Sequence, residues 1–482
     1  MQILHVSAEC YPAAKSGGLG DVAGALPKYL NQAGVDTAVI LPRYNLKWLN
    51  TREYRILYNS HVQLGAYPIP YSIEECLHTH RDLGFTMYVV NCPTFFSYGN
   101  VYADDNGIPY QDEIERWLTF QQAVIHFVLG LSEKPKVIHC HDHHTAFIPF
   151  MIKHCPDYHS LHDIPTIFTI HNGLYQGVYP WQKSHFFPSF FGNAAGLLEW
   201  HGVINAMACA IKCCWYFTTV SGGYLEELRH DAAGLESLIN QEYHKAYGIL
   251  NGIDNQVWNP ATDPMIKYNF SGDIDVYKAA NKKQITDLFH VRNDVPLFIF
   301  IGRLVSEKGA NLIPGVIAKF LGEGGAASFV VLGTGEPSIQ DGFKSLAHQF
   351  PDRVGAAITY NEELSHQMYA AADFILMPSR VEPCGLNQLY ALRYGTVPIV
   401  RATGGLKDTV VDFASPQGGA GINFTHFDAG DALMALYRAM QLYWDMPENF
   451  RNLRHKIMHI DHSWENAAKA YIYLYQKAVG NK

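Results

Sequence analysis

The chain has 482 residues, of which 48% are hydrophobic and 17% are charged, and its formal net charge is −9. This length exceeds what one hydrophobic core normally accommodates, so we expect two or three domains. The acidic balance argues against a general nucleic-acid-binding protein, because binding to phosphate backbones needs a basic surface.

The cysteines and the first residues bear on location. Nine cysteines are scattered without a disulfide-like spacing, which suits a reducing compartment. The first residues have the pattern of a strand rather than of a signal peptide, and no run of about 18 apolar residues indicates a membrane span. We expect a bacterial cytoplasmic protein rather than a mature plastid protein, without a membrane or nucleic-acid partner, and with an oligomeric state left open.

The first predicted strand, at residues 1–7, leads into a glycine-rich turn, KSGGLGDV, at positions 15–22. A helix is expected to begin near Asp21. Gly17 and Gly18 allow the backbone to approach a phosphate, the helix start offers amide donors, and Lys15 adds a cation. Such turns often serve only as connections, so this motif alone does not establish a phosphate site.

Further strands in the first half are rich in β-branched and aromatic residues and end at polar or glycine turns. They are predicted at 37–41, 86–91, 137–140, 166–170 and 217–220. Their alternation with helical segments predicts a parallel, doubly wound α/β sheet. Asp142 follows the third of these strands, and His171 with Asn172 follows the fourth. A lone histidine at a strand end is commonly structural.

The same rhythm recurs in the second half, with strands predicted at 297–301, 328–332, 356–359, 374–377 and 396–400. Turn-forming residues near Asn251 place a domain boundary there. We therefore predict domains at 1–250 and 251–460. A last helix is predicted at 461–482, with Ser463 as its N-cap and apolar residues at helical spacing.

Two motifs of the second half carry charged groups directly after strands. Arg303 and Lys308 lie five residues apart after the strand 297–301. An arginine fork with a lysine point charge suits a diphosphate, although both could be solvated surface cations. Glu382 follows the strand 374–377 and precedes a helix predicted at 387–394, an arrangement that can hold a sugar and an anion together.

The ordered set of motifs resembles the bacterial and plant-plastid glycogen/starch synthases, the ADP-glucose-using enzymes of glycosyltransferase family 5. The motifs are KSGGLGDV (15–22), HCHD (139–142), TIHNGLYQG (169–177), GILNGID (248–254), WNP (258–260), Arg303 with KG (308–309), EPCGL (382–386), TGGLKDTV (403–410) and SW (463–464). The resemblance spans residues 15–471.

The resemblance implies a GT-B fold, in which two Rossmann-like doubly wound domains flank a cleft and a C-terminal helix crosses back to the first domain. It implies retaining transfer of glucose from ADP-glucose to the non-reducing end of an α-1,4-glucan. The expected partners are therefore ADP-glucose and a glycogen-like or starch-like glucan. No metal or other cofactor is expected, since the two cations would replace a metal and no Asp-x-Asp run follows a predicted strand.

The resemblance also implies roles for individual residues. The catalytic set is Glu382, His171, Lys308, Arg303 and Lys15. The ADP-glucose-binding set is Lys15, Gly17, Gly18, Asp21, Asp142, Asn172, Arg303, Lys308, Tyr360, Cys384, Gly385 and Leu386. Tyr98 and Asn251 are expected on the acceptor side.

The sequence departs from the wider pattern at three places. Tyr390 stands where the wider superfamily often has a second glutamate, which favours a front-face reaction over a double displacement. His143 stands where the family usually has a tryptophan, so the resemblance does not imply an indole ring beside Asp142. A lysine usual in the family is missing from the segment 205–210, where we expect a packing helix and no loss of activity.

Three alternatives remain open. A related transferase could use UDP-glucose or a different acceptor, such as sucrose or a lipid sugar. A non-catalytic glucan-binding scaffold could retain the fold, although such proteins usually lose part of the donor site. The histidines at 139, 141, 143 and 144 allow a zinc site, which would need three well-placed ligands and a second shell.

Overall fold

The structure, a computed structural model, describes residues 2–104, 108–416 and 418–480. It divides into two compact units. Unit 1 comprises the described residues up to Val220, Leu225–Leu250 and those from Trp464 onward. Unit 2 comprises Ser221–Tyr224 and Asn251–Ser463. Within the described residues, every helix is too short or too polar to cross a membrane.

The strands of unit 1 are β1 (Ile3–Val6), β2 (Thr37–Pro42), β3 (Tyr54–Leu64), β4 (Tyr67–Cys76), β5 (Thr86–Asn91), β6 (Val137–His141), β7 (Thr166–Ile170), β8 (Val178–Tyr179), β9 (Glu199–Trp200), β10 (Val203–Asn205), β11 (Tyr216–Thr219) and β12 (Ala246–Gly248). Its helices are α1 (Gly18–Gln32), α2 (Lys47–Asn50), α3 (Thr79–Leu83), α4 (Pro93–Phe96), α5 (Glu113–Gly130), α6 (Ile148–His154), α7 (Ala195–Leu198), α8 (Ala206–Cys213), α9 (Gly222–Leu228, beginning in unit 2), α10 (Glu236–Gln241) and the final helix (Trp464–Gly480).

Most strands of unit 1 form one sheet in the order β12-β11-β7-β6-β1-β2-β5-β4-β3. The strands from β12 to β5 are parallel, while β4 and β3 extend the edge antiparallel. Strands β1, β2, β6 and β7 are buried along their whole length, as expected when helices cover both faces. Strands β8, β10 and β9 form a small separate sheet. Strand β2, which follows β1 along the chain, lies on one side of β1, and β6 lies on the other side. The strand order therefore reverses between β1 and β6.

The strands of unit 2 are β13 (Leu297–Ile301), β14 (Ser328–Leu332), β15 (Val354–Ala357), β16 (Phe374–Met377), β17 (Val397–Arg401) and β18 (Ile422–Phe424). Its helices are α11 (Ile274–Phe289), α12 (Ile313–Gly322), α13 (Pro337–Gln349), α14 (Glu362–Ala371), α15 (Asn387–Arg393), α16 (Gly404–Thr409), α17 (Ala429–Trp444) and α18 (Pro447–Met458). The final helix of unit 1 is therefore α19. Short 3₁₀ helices cover His143–Thr145, Pro156–Leu161, Trp181–Phe186, Gly192–Ala194, Tyr243–Lys245 and Ser306–Lys308.

The sheet of unit 2 is entirely parallel, in the order β15-β14-β13-β16-β17-β18. Numbered within the unit, this is the Rossmann order 3-2-1-4-5-6, which reverses between β13 and β16. Along β13, Phe298 and Phe300 pack into one core layer, and Leu297 and Ile299 pack into the other. Two hydrophobic layers thus enclose the sheet, which confirms the predicted doubly wound α/β class.

The predicted return of the last helix to the first domain is confirmed. Helix α19 packs against α1, and its buried residues recur at helical spacing. Tyr471, Leu474 and Tyr475 share one hydrophobic cluster with Val22 and Leu26 of α1. The helix starts at Trp464, three residues after the predicted start of the segment.

The sheets contain features that the sequence pattern did not predict. The β3–β4 hairpin was not predicted, because β3 lies at an edge and most of its side chains are exposed, so apolar residues do not mark it. Strand β15 begins at Val354, two residues earlier than predicted. Gly355 pairs with Val330 of β14, and the position requires glycine because a Cβ there would lie 2.6 Å from the ring of Phe289 on α11.

Candidate active site

In unit 2, the candidate site lies where the strand order reverses. Lys308 follows β13, and Glu382 follows the neighbouring β16. Lys308 Nζ lies 2.7 Å from Glu382 Oε1, and the hydroxyl of Ser379 donates a 2.9 Å hydrogen bond to Oε2. Both oxygens of this buried carboxylate are therefore engaged. The carboxyl ends of adjacent parallel strands at such a reversal are where open α/β sheets bind ligands.

Close backbone packing brings these two loops together. Gly309 has a φ of 69°, and a Cβ there would lie 2.0 Å from the carbonyl oxygen of Pro378. Only glycine permits that approach. The amide of Arg380 also donates to the carbonyl of Glu307 at 2.8 Å. The loop after β13 is thus fixed to the loop after β16, which places Lys308 beside Glu382.

Arg303 is not part of the Lys308–Glu382 pair. Its guanidinium is 3.6 Å from the carboxylate of Glu307, and its side chain is 59% exposed. A contact of this length made by a largely solvated guanidinium contributes little to stability. The guanidinium therefore reaches solvent on the same loop as Lys308, where a ligand can approach it.

The turn at 384–386 connects Glu382 to helix α15. Gly385 has a φ of 73°, and the amide of Gly405 donates to the carbonyl of Glu382 at 3.1 Å. Burial raises the pKa of the Cys384 thiol to about 12, so the thiol stays protonated at neutral pH. Leu386 precedes the first turn of α15, and no side chain among the described residues caps that helix start. Its amides can therefore serve as donors.

Three other predicted residues are not part of the Lys308–Glu382 pair. Tyr360 follows edge strand β15 and is 77% exposed, so its ring is open to a planar group. Asn251, expected on the acceptor side, lies in unit 2, where its backbone hydrogen-bonds to the Cys384 thiol. Tyr98 lies in unit 1, is about half exposed, and has its ring centroid 5.6 Å from that of Tyr110.

In unit 1, the glycine-rich turn begins helix α1. Lys15 Nζ lies 2.7 Å from Asp21 Oδ1, and both side chains are partly exposed. No side chain within the described ranges caps the helix, whose N-cap is Gly17. A Cβ built on Gly17 or Gly18 would meet nothing within 4 Å. The protein's own packing does not require glycine at these two positions, which is consistent with space kept for a ligand.

Glu9 organises this turn, although none of the sequence motifs includes it. Its buried carboxylate accepts hydrogen bonds from the amides of Ser16 at 2.5 Å and Gly17 at 2.9 Å. The hydroxyl of Tyr102 donates to its other oxygen at 2.5 Å. Glu9 lies shortly after β1, where the strand order reverses, and this position was the signal that could have identified it.

Asp142, His171 and Asn172 form the second cluster of unit 1. Asp142 has a φ of 56°, a strained conformation that clusters at functional sites, and its Oδ1 accepts from the amide of His171 at 2.8 Å. Burial, with a smaller contribution from the negative charge of Glu9, raises its pKa to about 7. Burial lowers the pKa of His171 to about 3, so its imidazole is neutral. The side chain of Asn172 accepts from the amide of Leu174 at 3.0 Å.

The histidine run does not form one group. The ring nitrogens of His139 and His141 approach those of His5 closely enough to share an ion. His143 is turned away and makes a 3.0 Å contact with Glu113. The ring of His144 lies against that of His143, with centroids 3.8 Å apart. The zinc alternative thus shifts to the triad of His5, His139 and His141.

Comparisons with known proteins agree with this architecture. A family model described as "Starch synthase catalytic domain" matches residues 2–241, and one described as "Glycosyl transferases group 1" matches residues 282–452. A sucrose-phosphate synthase from Thermosynechococcus elongatus has a TM-score of 0.62 at 16% identity, with complete coverage of both chains. The fold is that of the GT-B glycosyltransferases.

Closer relatives define the family. A glycogen synthase of Flavobacterium johnsoniae is 43% identical over the full length of both chains, and one of Bacillus cereus is 36% identical over 99% of this chain and 100% of its own. The catalytic domain of starch synthase IV from Arabidopsis thaliana, solved with ADP and acarbose, has a TM-score of 0.87 at 34% identity, covering 99% of each chain. The chain belongs to the glycogen/starch synthase family.

Proposed function

We propose that this protein is a glycogen or starch synthase that transfers glucose from ADP-glucose to the 4-hydroxyl at the non-reducing end of an α-1,4-glucan, with retention at the anomeric carbon. The observation that carries the proposal is the Lys308–Glu382 pair at the reversal point of the unit 2 sheet. A sugar diphosphate combines the two things this pair can recognise, which are hydroxyl groups and negative charge.

The cations of unit 2 are proposed to stabilise the leaving diphosphate. Arg303 and Lys308 would neutralise the charge that develops on the phosphate oxygen as the bond to the anomeric carbon breaks. The amides at the start of α15 add donors. Two fixed cations can supply the charge that a divalent metal supplies elsewhere, so we propose a metal-independent reaction.

Glu382 is proposed to orient the glucose by accepting hydrogen bonds from its hydroxyls. When Lys308 turns to the diphosphate, Oε1 of Glu382 becomes available for a sugar hydroxyl. Tyr390, where the wider superfamily often has a glutamate, instead stacks on Trp258 with ring centroids 3.6 Å apart. We therefore propose a front-face reaction, in which the acceptor oxygen attacks the face that the phosphate leaves and the acceptor proton passes to a departing phosphate oxygen.

The groups of unit 1 are also proposed to contact the donor. Lys15 and the turn at Gly17 and Gly18 offer a cation and backbone donors for the diphosphate. Asp142 and His171 offer hydrogen bonds to the glucose, and Asp142, with its pKa near 7, can either donate or accept at neutral pH. Tyr98 and Asn251 are retained as proposed acceptor contacts, and Tyr360 as the proposed surface for the adenine.

The test is nucleotide release by the purified protein with glycogen, comparing ADP-glucose with UDP-glucose. We expect rapid, glycogen-dependent release of ADP that collapses in Glu382→Ala. Asp341→Ala, which removes an exposed carboxylate of α13 in the same unit, is the matched control and should keep wild-type turnover. Preferred use of UDP-glucose would contradict the proposed donor. Glycogen binding without release from either donor would favour the scaffold alternative.

A further inference from the structure

A chain of buried histidines lies behind His171 in unit 1. His171 Nε2 is 3.0 Å from His141 Nδ1, and His141 Nε2 is 2.9 Å from His5 Nδ1. His5 Nε2 is 3.4 Å from the hydroxyl of Tyr475. His5 and His141 lie on the neighbouring strands β1 and β6, and Tyr475 lies on α19. A hydrogen-bonded path therefore runs from the last helix to His171.

A second branch begins at the same hydroxyl. Tyr475 also contacts His139 Nδ1 at 2.8 Å, and His139 Nε2 is 2.6 Å from Thr169 Oγ1. Thr169 Oγ1 in turn lies 2.6 Å from Thr218 Oγ1. Every ring nitrogen of the three strand histidines thus has a hydrogen-bond partner in the protein. The triad is already satisfied without an ion, and this arrangement favours a hydrogen-bond chain over a zinc site.

The imidazoles of this chain are neutral. Burial lowers the pKa of His5 and of His171 to about 3, and it moves the pKa values of His139 and His141 well below the ordinary value. A neutral imidazole carries one N–H and one lone pair, so each contact between two histidines has a direction. The direction of one bond fixes that of the next.

The distances at Tyr475 favour one direction. Its hydroxyl has one proton, and the contact with His139 is 0.6 Å shorter than the contact with His5. Because O–H donors make shorter hydrogen bonds than N–H donors, the proton is assigned to the contact with His139. His5 Nε2–H then donates to the Tyr475 oxygen, and His5 Nδ1 accepts from His141 Nε2–H. His141 Nδ1 in turn accepts from Nε2–H of His171, whose Nδ1 is left with a lone pair.

We propose that Tyr475, His5 and His141 are positioning residues that hold the proton of His171 on Nε2, and so keep its Nδ1 as an acceptor for a hydroxyl of the donor glucose. The inference rests on the proposed function, in which His171 contacts the sugar. Without the chain, His171 can exchange between two tautomers, and the wrong one presents an N–H where an acceptor is needed.

The direct test is nitrogen-15 NMR of the full-length protein labelled at histidine, because the nitrogen shift distinguishes a protonated ring nitrogen from one with a lone pair. His171→Gln identifies the signals of His171. We expect a single Nε2–H tautomer in the wild type, and a mixture in both Tyr475→Phe and His5→Phe. A wild-type proton on Nδ1, a tautomer unchanged in both variants, or stoichiometric zinc in the purified protein would each overturn the proposal.

Kinetics separate positioning from general destabilisation. In Tyr475→Phe, kcat/KM for ADP-glucose should fall on the order of 10-fold, since fewer molecules hold the competent tautomer. The control is Tyr158→Phe, which removes another buried hydroxyl of unit 1, one that contacts His126 at 3.1 Å. Equal losses in both variants would indicate a structural role only. An inactive wild type would refute the proposed function, while the NMR result would still decide the histidine chain.

Discussion

Replacement of Lys308 by alanine tests the central ion pair. In the free protein, the ammonium group lies 2.7 Å from the carboxylate of Glu382, and the two side chains are 24% and 9% exposed. During the reaction we expect the same ammonium to stabilise the departing diphosphate. The substitution therefore has two separable consequences, one for stability and one for turnover.

The effect on stability follows from the carboxylate that remains. Without Lys308, Glu382 keeps the hydrogen bond from Ser379 but loses its charged partner. A buried group that loses a charged hydrogen-bond partner costs about 1–3 kcal/mol, and the partial exposure of Lys308 places the expected loss at the lower end. Adding Glu382→Gln removes the unpaired charge and should restore most of the free energy of unfolding.

The effect on turnover should be larger and should not be restored. Loss of one preorganised charge from a developing oxyanion lowers the rate on the order of 100-fold, which is about 2.7 kcal/mol of barrier. The assay is ADP release with saturating glycogen, with urea unfolding measured on the same samples. The double variant should recover most of the wild-type stability and remain inactive.

A second ion pair of unit 2 supplies the matched control. Lys282 lies 2.8 Å from Asp373, which precedes β16, whereas Glu382 follows it, so the two pairs lie at opposite ends of that strand. The exposed fractions at this pair are only 8% and 4%. Lys282→Ala should therefore lose more stability than Lys308→Ala and keep wild-type turnover per folded molecule. Near wild-type turnover in Lys308→Ala, or an equal loss in Lys282→Ala, would refute the reasoning.

Two further variants test unit 1. Glu9→Gln should raise KM for ADP-glucose on the order of 10-fold by weakening the acceptor for the amides of Ser16 and Gly17; an unchanged KM would remove Glu9 from the donor site. For Asp142, the folded-state pKa of about 7 exceeds the ordinary 3.8, so the folded protein binds more protons than the unfolded chain between those values, and wild-type stability falls as pH rises through 7. Asp142→Asn lacks this loss. Measured by urea unfolding, its free energy of unfolding relative to the wild type should therefore increase between pH 5 and pH 8, by about a few kcal/mol. Equal pH dependence of the two free energies of unfolding would contradict the raised pKa.

Much of the fold could be predicted because its signals are local. Buried parallel strands are short apolar runs that end at polar or glycine turns, and strands such as β7, β13 and β14 were predicted with the bounds that the structure has. The family followed from motifs read in order along the chain. Edge strand β3 has no apolar run of this kind, because its residues are mostly exposed. Only its pairing with β4 defines it as a strand.

The sequence by itself determined which residue types follow each strand, because these lie next to the apolar runs that mark the strands. The tertiary structure alone decided which of them meet. Lys308 and Glu382 are 74 residues apart and pair because β13 and β16 are neighbours in the sheet. Glu9 and the Tyr475–His5–His141–His171 chain depend on contacts between distant elements, and strand order and helix packing, which bring such elements together, are not encoded in any local pattern.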